Sequence, residues 1–402
     1  MKRLIYKVRE IPLASETFII SNIAHAIRKG FNVQVIADVL YPIETSSQQS
    51  LIHEMGIQKL ILQNKSTTNK SKRIQDAILF LLNPFMFYFF CQLSVSSGRW
   101  TLEHVYTLKF YRRYKKEDVF HVHFAVALFP LLVLKRIGFL KSKVVVTFHG
   151  YDAYALPKDD ELSQLIGDYR KNVFAITVNS QFLRNQLILQ GFDEHMIHVI
   201  PVGIDCANFD HKSSSRIDDA SFNLVSVGRL IPLKGHRFGI EVVKQLLAKG
   251  HNVHYTIVGY GDLMKPLEEL ISTYKLKDNI TLAGKQSQDQ IATLLKDTDV
   301  FLMTSTYDST NRREAFGLVS LEAQAAGVPV VGFDSGGFPE TLINGVTGYV
   351  VPDRDVDAMT TAVEKLILNT ELLGDMKEKA REHVLNTFEI SKVAEGYFNL
   401  YH

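Results

Sequence analysis

The chain has 402 residues and a net charge of +2, and 46% of its residues are hydrophobic and 22% charged. These values are ordinary for globular proteins and exclude a disordered or collagen-like chain, while two cysteines are too few for a disulfide framework. No segment reaches the roughly 20 apolar residues of a spanning helix, because Asn83-Pro84 interrupts the longest one, Ile78–Leu93. We expect a cytoplasmic protein that is at most peripheral to the inner face of the cell membrane.

Short β-branched runs alternate with helix-period segments along the chain. In the first half we predict strands at Arg3–Val8, Asn32–Ala37, Val119–Val122, Lys143–Phe148, Val173–Val178 and His198–Ile200. In the second half we predict them at Asn223–Val227, His254–Val258, Asn279–Leu282, Val300–Thr304, Val328–Phe333 and Gly348–Val351. The predicted helices between them include Ser15–Lys29, Ser180–Gln190, His236–Ala248, Leu263–Tyr274, Gln288–Lys296 and Gly317–Ala326. This alternation is typical of an α/β fold with doubly wound parallel sheets.

A polar segment, Asp205–Ser221, contains three consecutive serines and separates the two halves of the chain. Because it lacks apolar periodicity, it is typical of a linker. We therefore predict one Rossmann-like domain over 1–205 and a second from 206 onward. Open parallel sheets bind ligands outside the carboxyl ends of their strands, so we expect the two domains to face a cleft between them.

The two halves differ in charge. Residues 1–200 carry 25 Lys and Arg against 16 Asp and Glu, whereas the remainder carries 20 against 27. This asymmetry indicates an anionic partner for the first half, and the absence of any RNA- or DNA-binding motif argues against nucleic acid. Between 65 and 116, ten Lys and Arg are interleaved with aromatic residues, which predicts contact with an anionic membrane surface. Core helices with a solvated cationic face are the alternative.

The segment Glu314-Ala-Phe-Gly-Leu-Val-Ser-Leu-Glu322 follows a polar loop and leads into an Ala-rich predicted helix. Glu314 then lies before the helix, and Glu322 lies one to two turns inside it. A helix N-terminus presents unpaired N–H groups and a positive dipole end, which suit a phosphate, and a carboxylate there can accept hydrogen bonds from sugar hydroxyls. Two solvated surface carboxylates are the alternative interpretation.

A second segment, Val225–Gly235, ends a predicted strand at Gly228 and places Arg229 and Lys234 in the loop that follows. Two cations beside a helix start suit a diphosphate, because they neutralise the charge that grows as a phosphate leaves. A basic surface loop is the alternative.

Two further turns contain glycine pairs. In Asp334-Ser-Gly-Gly-Phe-Pro-Glu340 the glycines either let the backbone approach a ligand or form a plain strand-to-helix turn. Val258-Gly-Tyr-Gly-Asp262 lacks the third glycine of a dinucleotide fingerprint, so it indicates no NAD site. In this order, the motifs over 223–351 resemble those of the family-four retaining glycosyltransferases, which have the GT-B fold.

The resemblance implies that Arg229 and Lys234 hold a nucleotide diphosphate. It implies that Glu322 binds the ribose and that Glu314 lies near the donor sugar. Backbone contacts to the phosphates are implied for Phe316, Gly317, Leu318 and Val319. Contacts to the base are implied for Lys285 and Gln286.

The first half carries two further motifs of this kind. His149-Gly-Tyr-Asp152 follows a strand and looks like the family's His-Gly-x-Asp turn, whose histidine faces the transferred sugar; a satisfied strand-end histidine is the alternative. Asp152 becomes an acceptor-side candidate. The run Ser15-Glu-Thr-Phe18 resembles the subgroup associated with colanic-acid- and amylovoran-type exopolysaccharides. Ser15 suits the N-cap of the next helix, and Glu16 is a further acceptor-side candidate.

Asp297-Thr-Asp299 matches the Asp-x-Asp metal signature of the other main glycosyltransferase fold, yet Asp353-Arg-Asp355 matches it as well. We therefore interpret Asp297 and Asp299 as structural and expect neither a metal nor another cofactor.

The resemblance predicts a retaining, metal-independent glycosyltransferase of surface polysaccharide biosynthesis. It is expected to move a hexose from a UDP- or GDP-linked donor to a glycan acceptor, itself expected to be lipid-linked. The implied domains are 1–205 for the acceptor, 206–387 for the donor, and 388–402 as a helix that returns to the first domain. A non-hydrolysing sugar-nucleotide 2-epimerase on the same fold and a non-catalytic sugar-nucleotide sensor are the alternatives.

Overall fold

The computed structural model describes residues 3–13, 16–64, 69–209 and 221–401. The chain divides into two compact units, of which unit 1 comprises Met1–Val178, Arg184–Ile200 and Ala394–His402, and unit 2 comprises Asn179–Leu183 and Pro201–Val393. Ser15 and most of the predicted linker lie outside the described residues. The domain borders inferred at 205 and 387 stay predictions.

Unit 1 is built on a parallel sheet of seven strands in its described residues. The strands are β1 (Arg3–Ile11), β2 (Asn32–Leu40), β3 (Ile61–Leu62), β4 (Val119–His123), β5 (Lys143–Phe148), β6 (Ala175–Val178) and β7 (Ile197–Val199). The helices are α1 (Thr17–Arg28), α2 (Gln49–Glu54), α3 (Lys70–Leu81), α4 (Pro84–Ser97), α5 (Leu102–Tyr111), α6 (Leu131–Arg136), α7 (Tyr151–Tyr154) and α8 (Asp159–Asn172), with α9 (Gln181–Leu189) beginning in unit 2. The strand order is β3-β2-β1-β4-β5-β6-β7, which contains the 3-2-1-4-5-6 order of a Rossmann fold.

Unit 2 has six parallel strands in the described residues. They are β8 (Phe222–Val227), β9 (Val253–Val258), β10 (Ile280–Gly284), β11 (Val300–Met303), β12 (Val330–Phe333) and β13 (Gly348–Val351). The helices are α10 (His236–Ala248), α11 (Met264–Thr273), α12 (Gln288–Leu295), α13 (Leu318–Ala325), α14 (Val356–Leu368) and α15 (Thr370–Thr387), with α16 (Ile390–Tyr401) ending in unit 1. The strand order β10-β9-β8-β11-β12-β13 is again 3-2-1-4-5-6. The prediction of two doubly wound Rossmann-like domains is confirmed.

The unit 1 sheet has a polar cluster inside its apolar core. In β1, Tyr6 lies beside His121 of β4 in register, and both side chains are buried. The His121 ring nitrogens lie 2.6 Å from the Thr147 hydroxyl and 2.6 Å from the Tyr401 hydroxyl at the end of α16. A buried polar ring needs partners of this kind, so unit 1 depends on a residue from far along the chain.

Three helices, α3, α4 and α5, form an insertion between β3 and β4. The break between α3 and α4 follows from the sequence, because Asn83 accepts hydrogen bonds from the backbone N–H groups of Phe85 and Met86 and Pro84 occupies the first turn. In the described part of the chain no single helix is long and apolar enough to cross a bilayer. The α3–α4 pair meets that test only jointly, with a bend of 110°.

The carboxyl ends of β8 and β9 meet through their backbones. Gly228 N–H donates to the Val258 carbonyl at 2.9 Å, and Gly259 has a φ of +152°. A Cβ atom at Gly259 would lie 1.8 Å from the Gly228 carbonyl oxygen. Only glycine fits where the strand end adjoins the loop of Arg229.

Replacing Gly259 by Ala should lower the free energy of unfolding by about 4 kcal/mol, because backbone strain adds to a clash that no side chain can relieve. Gly250→Ala is the control, since Gly250 also has a positive φ but no atom within 4 Å of the added Cβ; it should lose about 1 kcal/mol. Urea unfolding of both variants measures the difference. Equal losses would contradict the close approach.

Candidate active site

The candidate donor residues of unit 2 lie in loops at the carboxyl ends of its strands. Arg229 and Lys234 follow β8, and Glu314 lies between β11 and α13. Because β8 and β11 are parallel neighbours, their carboxyl ends lie at the same edge of the sheet. Motifs that are far apart in sequence therefore meet there.

An ion pair joins the two loops. The Lys234 ammonium donates to Glu314 Oε2, and the Ser305 hydroxyl donates to the same oxygen at 3.4 Å. Burial alone would raise the pKa of Glu314, but the charge and hydrogen bond of Lys234, helped by Ser305 and Arg229, lower it. Glu314 is thus held as a carboxylate beside a fixed cation.

Local structure holds Lys234 in place. Its carbonyl accepts a hydrogen bond from the Thr304 hydroxyl at 2.8 Å, and its side chain crosses Gly228, where an added Cβ would lie 3.3 Å from it. Gly235 follows with a φ of +60° and begins α10. Arg229, in the same loop, is exposed. Lys234 is thus anchored, whereas the exposed Arg229 can reach an anion in solution.

The loop of Glu314 runs into the N-terminus of α13. Phe316 is buried and packs edge-on against Phe388, with ring centroids 5.9 Å apart, and Gly317 has a φ of +98°. This anchors Leu318 and Val319 as the first residues of α13, whose N–H groups have no partner within the helix. The predicted phosphate-binding backbone is therefore next to the Lys234–Glu314 pair in the chain.

The paired glycines of the turn after β12, Gly336 and Gly337, contact the backbone of this loop. Gly337 N–H donates to the Glu314 carbonyl at 2.8 Å, and a Cβ atom at Gly336 would lie 1.9 Å from that oxygen. In the structure the close approach at these glycines is to the backbone of Glu314, and the ligand contact considered for them stays a prediction.

Glu322 differs from Glu314 in its electrostatics. It lies on α13 with only 8% of its surface exposed, and burial raises the pKa of its carboxyl to about 7. Its one polar contact that lowers this value is Gln288 of α12, whose amide lies 3.4 Å from Oε1. A half-ionised buried carboxylate with spare acceptor capacity can take hydroxyl hydrogen bonds.

The residues implied for the base follow β10. Lys285 is exposed, with its ammonium 5.9 Å from the centre of the Tyr260 ring. Gln286 donates to the Ala283 carbonyl at 2.7 Å. Because α12 begins two residues later and supplies Gln288 to Glu322, this loop adjoins the carboxylate of α13.

Sequence reasoning missed two supporting residues of unit 2. Arg354 donates to the Thr306 hydroxyl at 2.9 Å and to the Tyr307 carbonyl at 2.8 Å, and its guanidinium lies 3.5 Å from the Tyr307 ring centre. It fixes the start of the loop that carries Glu314. His236 is buried at the start of α10, where burial and the charge of Lys234 lower its pKa to about 4.

His149 belongs to unit 1 and lies just after β5. Its Nε2 is 3.0 Å from Nδ1 of His123, and the Phe18 and Phe124 rings each lie 4.6 Å from it. Burial, and then the neighbouring His123, keep the pKa of His149 well below its usual value. A neutral imidazole in this setting can donate or accept one hydrogen bond but carries no charge.

Asp152 holds the turn that presents His149. One carboxylate oxygen accepts from the N–H groups of His149 (2.9 Å) and Gly150 (3.0 Å), and the other accepts from Ala125 (2.8 Å). The side chain is buried, and burial raises its pKa to about 6 despite these bonds. Its hydrogen bonds stabilise the turn, and the acceptor contact expected from the motif stays a prediction.

Glu16 immediately precedes α1 in unit 1. Burial, and then the nearby charge of Glu10, raise the pKa of its carboxyl to about 7. Since Phe18 of the same segment packs on His149, Glu16 lies in the segment that covers the histidine.

The acidic pair Asp297 and Asp299 is engaged in the fold of unit 2. Asp299 accepts from Asn223 N–H at 3.0 Å and from Lys377 at 3.2 Å, and the Asp297 carbonyl accepts from the Asn223 amide. Among the described residues, no group of three or more His, Cys, Asp and Glu side chains is placed to hold a metal ion.

Two family models match the chain. "Glycosyl transferases group 1" matches residues 208–383, and "Glycosyltransferase Family 4" matches residues 86–208. The chain is 30% identical over 276 residues to the putative colanic acid biosynthesis glycosyltransferase WcaL of Salmonella typhimurium, covering 67% of each chain. It is 26% identical to the amylovoran biosynthesis glycosyltransferase AmsK of Erwinia amylovora, covering 90% of each.

A solved structure has the same fold. Anabaena Alr3699/HepE in complex with UDP superposes with a TM-score of 0.74 at 19% identity, over 99% of both chains. Together with the two sheets and the matching motifs, these similarities identify the family. The chain is a glycosyltransferase of family four with the GT-B fold, in the group that contains the amylovoran and colanic acid glycosyltransferases.

Proposed function

We propose that this enzyme transfers a hexose from a UDP- or GDP-linked donor to a glycan acceptor in surface polysaccharide biosynthesis, with retention at the anomeric carbon. The Lys234–Glu314 pair beside the start of α13 is the observation that carries the proposal. It combines a fixed cation, an ionised carboxylate and free helix N–H groups, which is the set of groups that a sugar diphosphate needs.

In the proposed reaction the bond between the anomeric carbon and the phosphate oxygen breaks. Arg229, Lys234 and the N–H groups of α13 stabilise the negative charge that develops on the departing diphosphate. The acceptor oxygen bonds to the same face of the anomeric carbon, and its proton goes to the departing phosphate oxygen. No covalent enzyme nucleophile and no metal ion are required, because side-chain cations and the helix dipole supply the positive charge.

The remaining residues orient the substrates. Glu322 accepts hydrogen bonds from the ribose hydroxyls, Glu314 contacts the donor sugar, and Lys285 and Gln286 flank the base. His149, neutral because it is buried, hydrogen-bonds the transferred sugar. Support for a nucleotide donor comes from HepE, whose structures carry UDP and UDP-glucose.

The polysaccharide assignment rests on the relatives. AmsK is named for amylovoran biosynthesis and WcaL for colanic acid biosynthesis, and we extend this class of product to the present chain, with a lipid-linked acceptor. The two cysteines, Cys91 and Cys206, are both free, in keeping with a cytoplasmic enzyme. The epimerase alternative is not favoured by any of these relatives.

Release of nucleoside diphosphate tests the proposal directly. The purified chain is incubated with UDP- and GDP-hexoses and a membrane extract as acceptor, and a thermal-shift panel identifies the donor beforehand. A donor at 100 times its Kd should stabilise the chain by about 2.7 kcal/mol. Binding without release would favour a sensor, and conversion of the donor sugar to its 2-epimer would favour the isomerase.

Replacing Arg229 or Lys234 by Ala should lower kcat by about a hundredfold or more while changing donor binding less, because charge on the leaving group grows in the transition state. Steady-state kinetics measures the two effects separately. Lys249→Ala is the control, since Lys249 pairs with Glu364 elsewhere in unit 2. Normal turnover by both Arg229→Ala and Lys234→Ala would refute the diphosphate assignment.

Donor affinity should depend on pH through Glu322. The ionised carboxyl accepts a charge-assisted hydroxyl hydrogen bond on each oxygen, whereas protonation turns one oxygen into a donor. With a pKa of about 7, affinity for the nucleotide sugar should therefore rise about tenfold from pH 6 to pH 8. Isothermal titration calorimetry measures this rise. Glu322→Gln should bind weakly with a flat pH profile, and Glu322→Ala should weaken both the donor and the nucleoside diphosphate. A wild-type profile that falls with pH would contradict the ribose contact.

Activity should survive EDTA, and the product should keep the anomeric configuration of the donor. The first expectation follows from the engagement of Asp299 with Asn223 and Lys377, and the second from front-face displacement. Activity assays with chelator and NMR of the product measure them. Rescue by Mn²⁺ or Mg²⁺ after chelation, or an inverted product, would overturn this mechanism.

A further inference from the structure

The insertion formed by α3, α4 and α5 in unit 1 exposes an unusual amount of apolar surface. Nine of its large apolar side chains are between 51% and 70% exposed. We call six of them, which lie on α3, at the bend after it and in the first two turns of α4, the apolar tip: Ile74, Ile78, Leu79, Leu82, Phe85 and Tyr88. Soluble proteins rarely leave such a contiguous patch uncovered unless something binds it.

The tip follows from helix periodicity. Ile74 and Ile78 lie on one face of α3, and Leu82, the C-cap residue of the helix, continues their spacing of four residues. Ala77 and Phe80 are buried on another face. At Asn83-Pro84 the chain bends by 110° into α4, whose first turn carries Phe85. The exposed stripe therefore continues around the bend from one helix to the next.

The aromatic residues of this region divide into two sets. Phe89, Phe110, Tyr111 and Tyr114 are buried and form edge-on ring contacts within the unit. Phe85, Phe87, Tyr88 and Trp100 are all more than half exposed. Phe85 and Tyr88 also pack edge-on against Phe89, and Trp100 packs against Phe90. More than half of each side chain in the second set nevertheless stays exposed.

Cations lie at the outer ends of the two helices that carry the tip. Lys70 and Lys72 are exposed in the first turn of α3, and Arg99 is exposed just after α4. The described residues 69–116 contain two acidic side chains. Asp76 is paired with Lys109 at 3.7 Å, and Glu103 is exposed. The helix ends on either side of the apolar tip are therefore positive.

We propose that the apolar tip docks this enzyme on an anionic lipid surface, with the tip among the acyl chains and Lys70, Lys72 and Arg99 at the headgroups. Apolar side chains flanked by cations match the depth profile of a bilayer interface, where each cation adds to the attraction. A protein partner with an apolar pocket would not require these cations. This deepens the proposed function, because docking would place unit 1 where a lipid-linked acceptor is found. Only this biological role rests on the proposed function.

Liposome flotation of the full chain tests the docking. The wild type should float with phosphatidylglycerol vesicles at about 50 mM salt and largely lose binding at about 500 mM, because salt screens the headgroup charge. Neutral phosphatidylcholine vesicles should bind it far less. A wild type that stays with the soluble fraction at low salt, or that binds both lipids equally, overturns the proposal.

Charge-matched variants separate insertion from attraction. Leu82→Glu with Phe85→Glu should lower the partition coefficient by about a hundredfold, because two exposed apolar anchors become anions. Leu189→Glu with Leu368→Glu is the control: these leucines are 80% and 72% exposed outside the insertion, and this variant should bind within about threefold of the wild type. Equal losses in both variants would overturn the role of the tip.

A third variant tests the cations. Lys70→Glu with Lys72→Glu should weaken binding to phosphatidylglycerol and flatten its salt dependence, without harm to α3, whose N-terminus favours acidic residues. Thermal shifts with a nucleotide sugar should be unchanged in all variants, so a failure of donor binding is distinguishable from a failure of docking. If sedimentation shows a dimer that Leu82→Glu with Phe85→Glu dissociates, and no vesicle binding occurs, the tip is a self-association surface and the proposal falls.

Discussion

The ion pair between Lys234 and Glu314 is the interaction on which the rest of unit 2 converges. It joins loops 80 residues apart in sequence. Each partner is also held through its backbone carbonyl, which accepts a hydrogen bond from the Thr304 hydroxyl at Lys234 and from the Gly337 N–H at Glu314. Removing either partner would leave a largely buried charge unpaired, which is strongly unfavourable. The start of α13 and the loop after β8 are therefore held as one structure.

Two carboxylates in one nine-residue segment acquire different properties from their surroundings. Lys234, Ser305 and Arg229 keep Glu314 ionised although burial opposes it, whereas Glu322 has only Gln288 to offset its burial. Such separation of neighbouring pKa values is how a single site obtains a permanent charge and a titratable acceptor. In unit 1, burial lowers the pKa of His123 and His149 and so favours their neutral form.

Much of the fold was predictable because parallel strands are buried on both faces and therefore consist of continuous apolar residues. The helices between them were predictable as well, and α10 matches its predicted bounds residue for residue. β3 was missed because its two residues are too short to form a pattern. The motifs located Arg229, Lys234, Glu314 and Glu322, but not their partners. Gln288 and Arg354 act through long-range contacts, and no local pattern predicted that Asp152 would hold the turn of His149.

The hydrogen bond between Tyr401 and His121 has a consequence for biosynthesis. The two residues are 280 positions apart, so at translation rates of about 5–20 residues per second β4 waits roughly 14 to 56 seconds for its partner. During that interval the His121 ring lies in a sheet that cannot yet close over it, and unit 2 can be completed meanwhile. The translation of unit 1 thus begins before that of unit 2 and ends after it, which leaves its core accessible to chaperones and proteases during that interval.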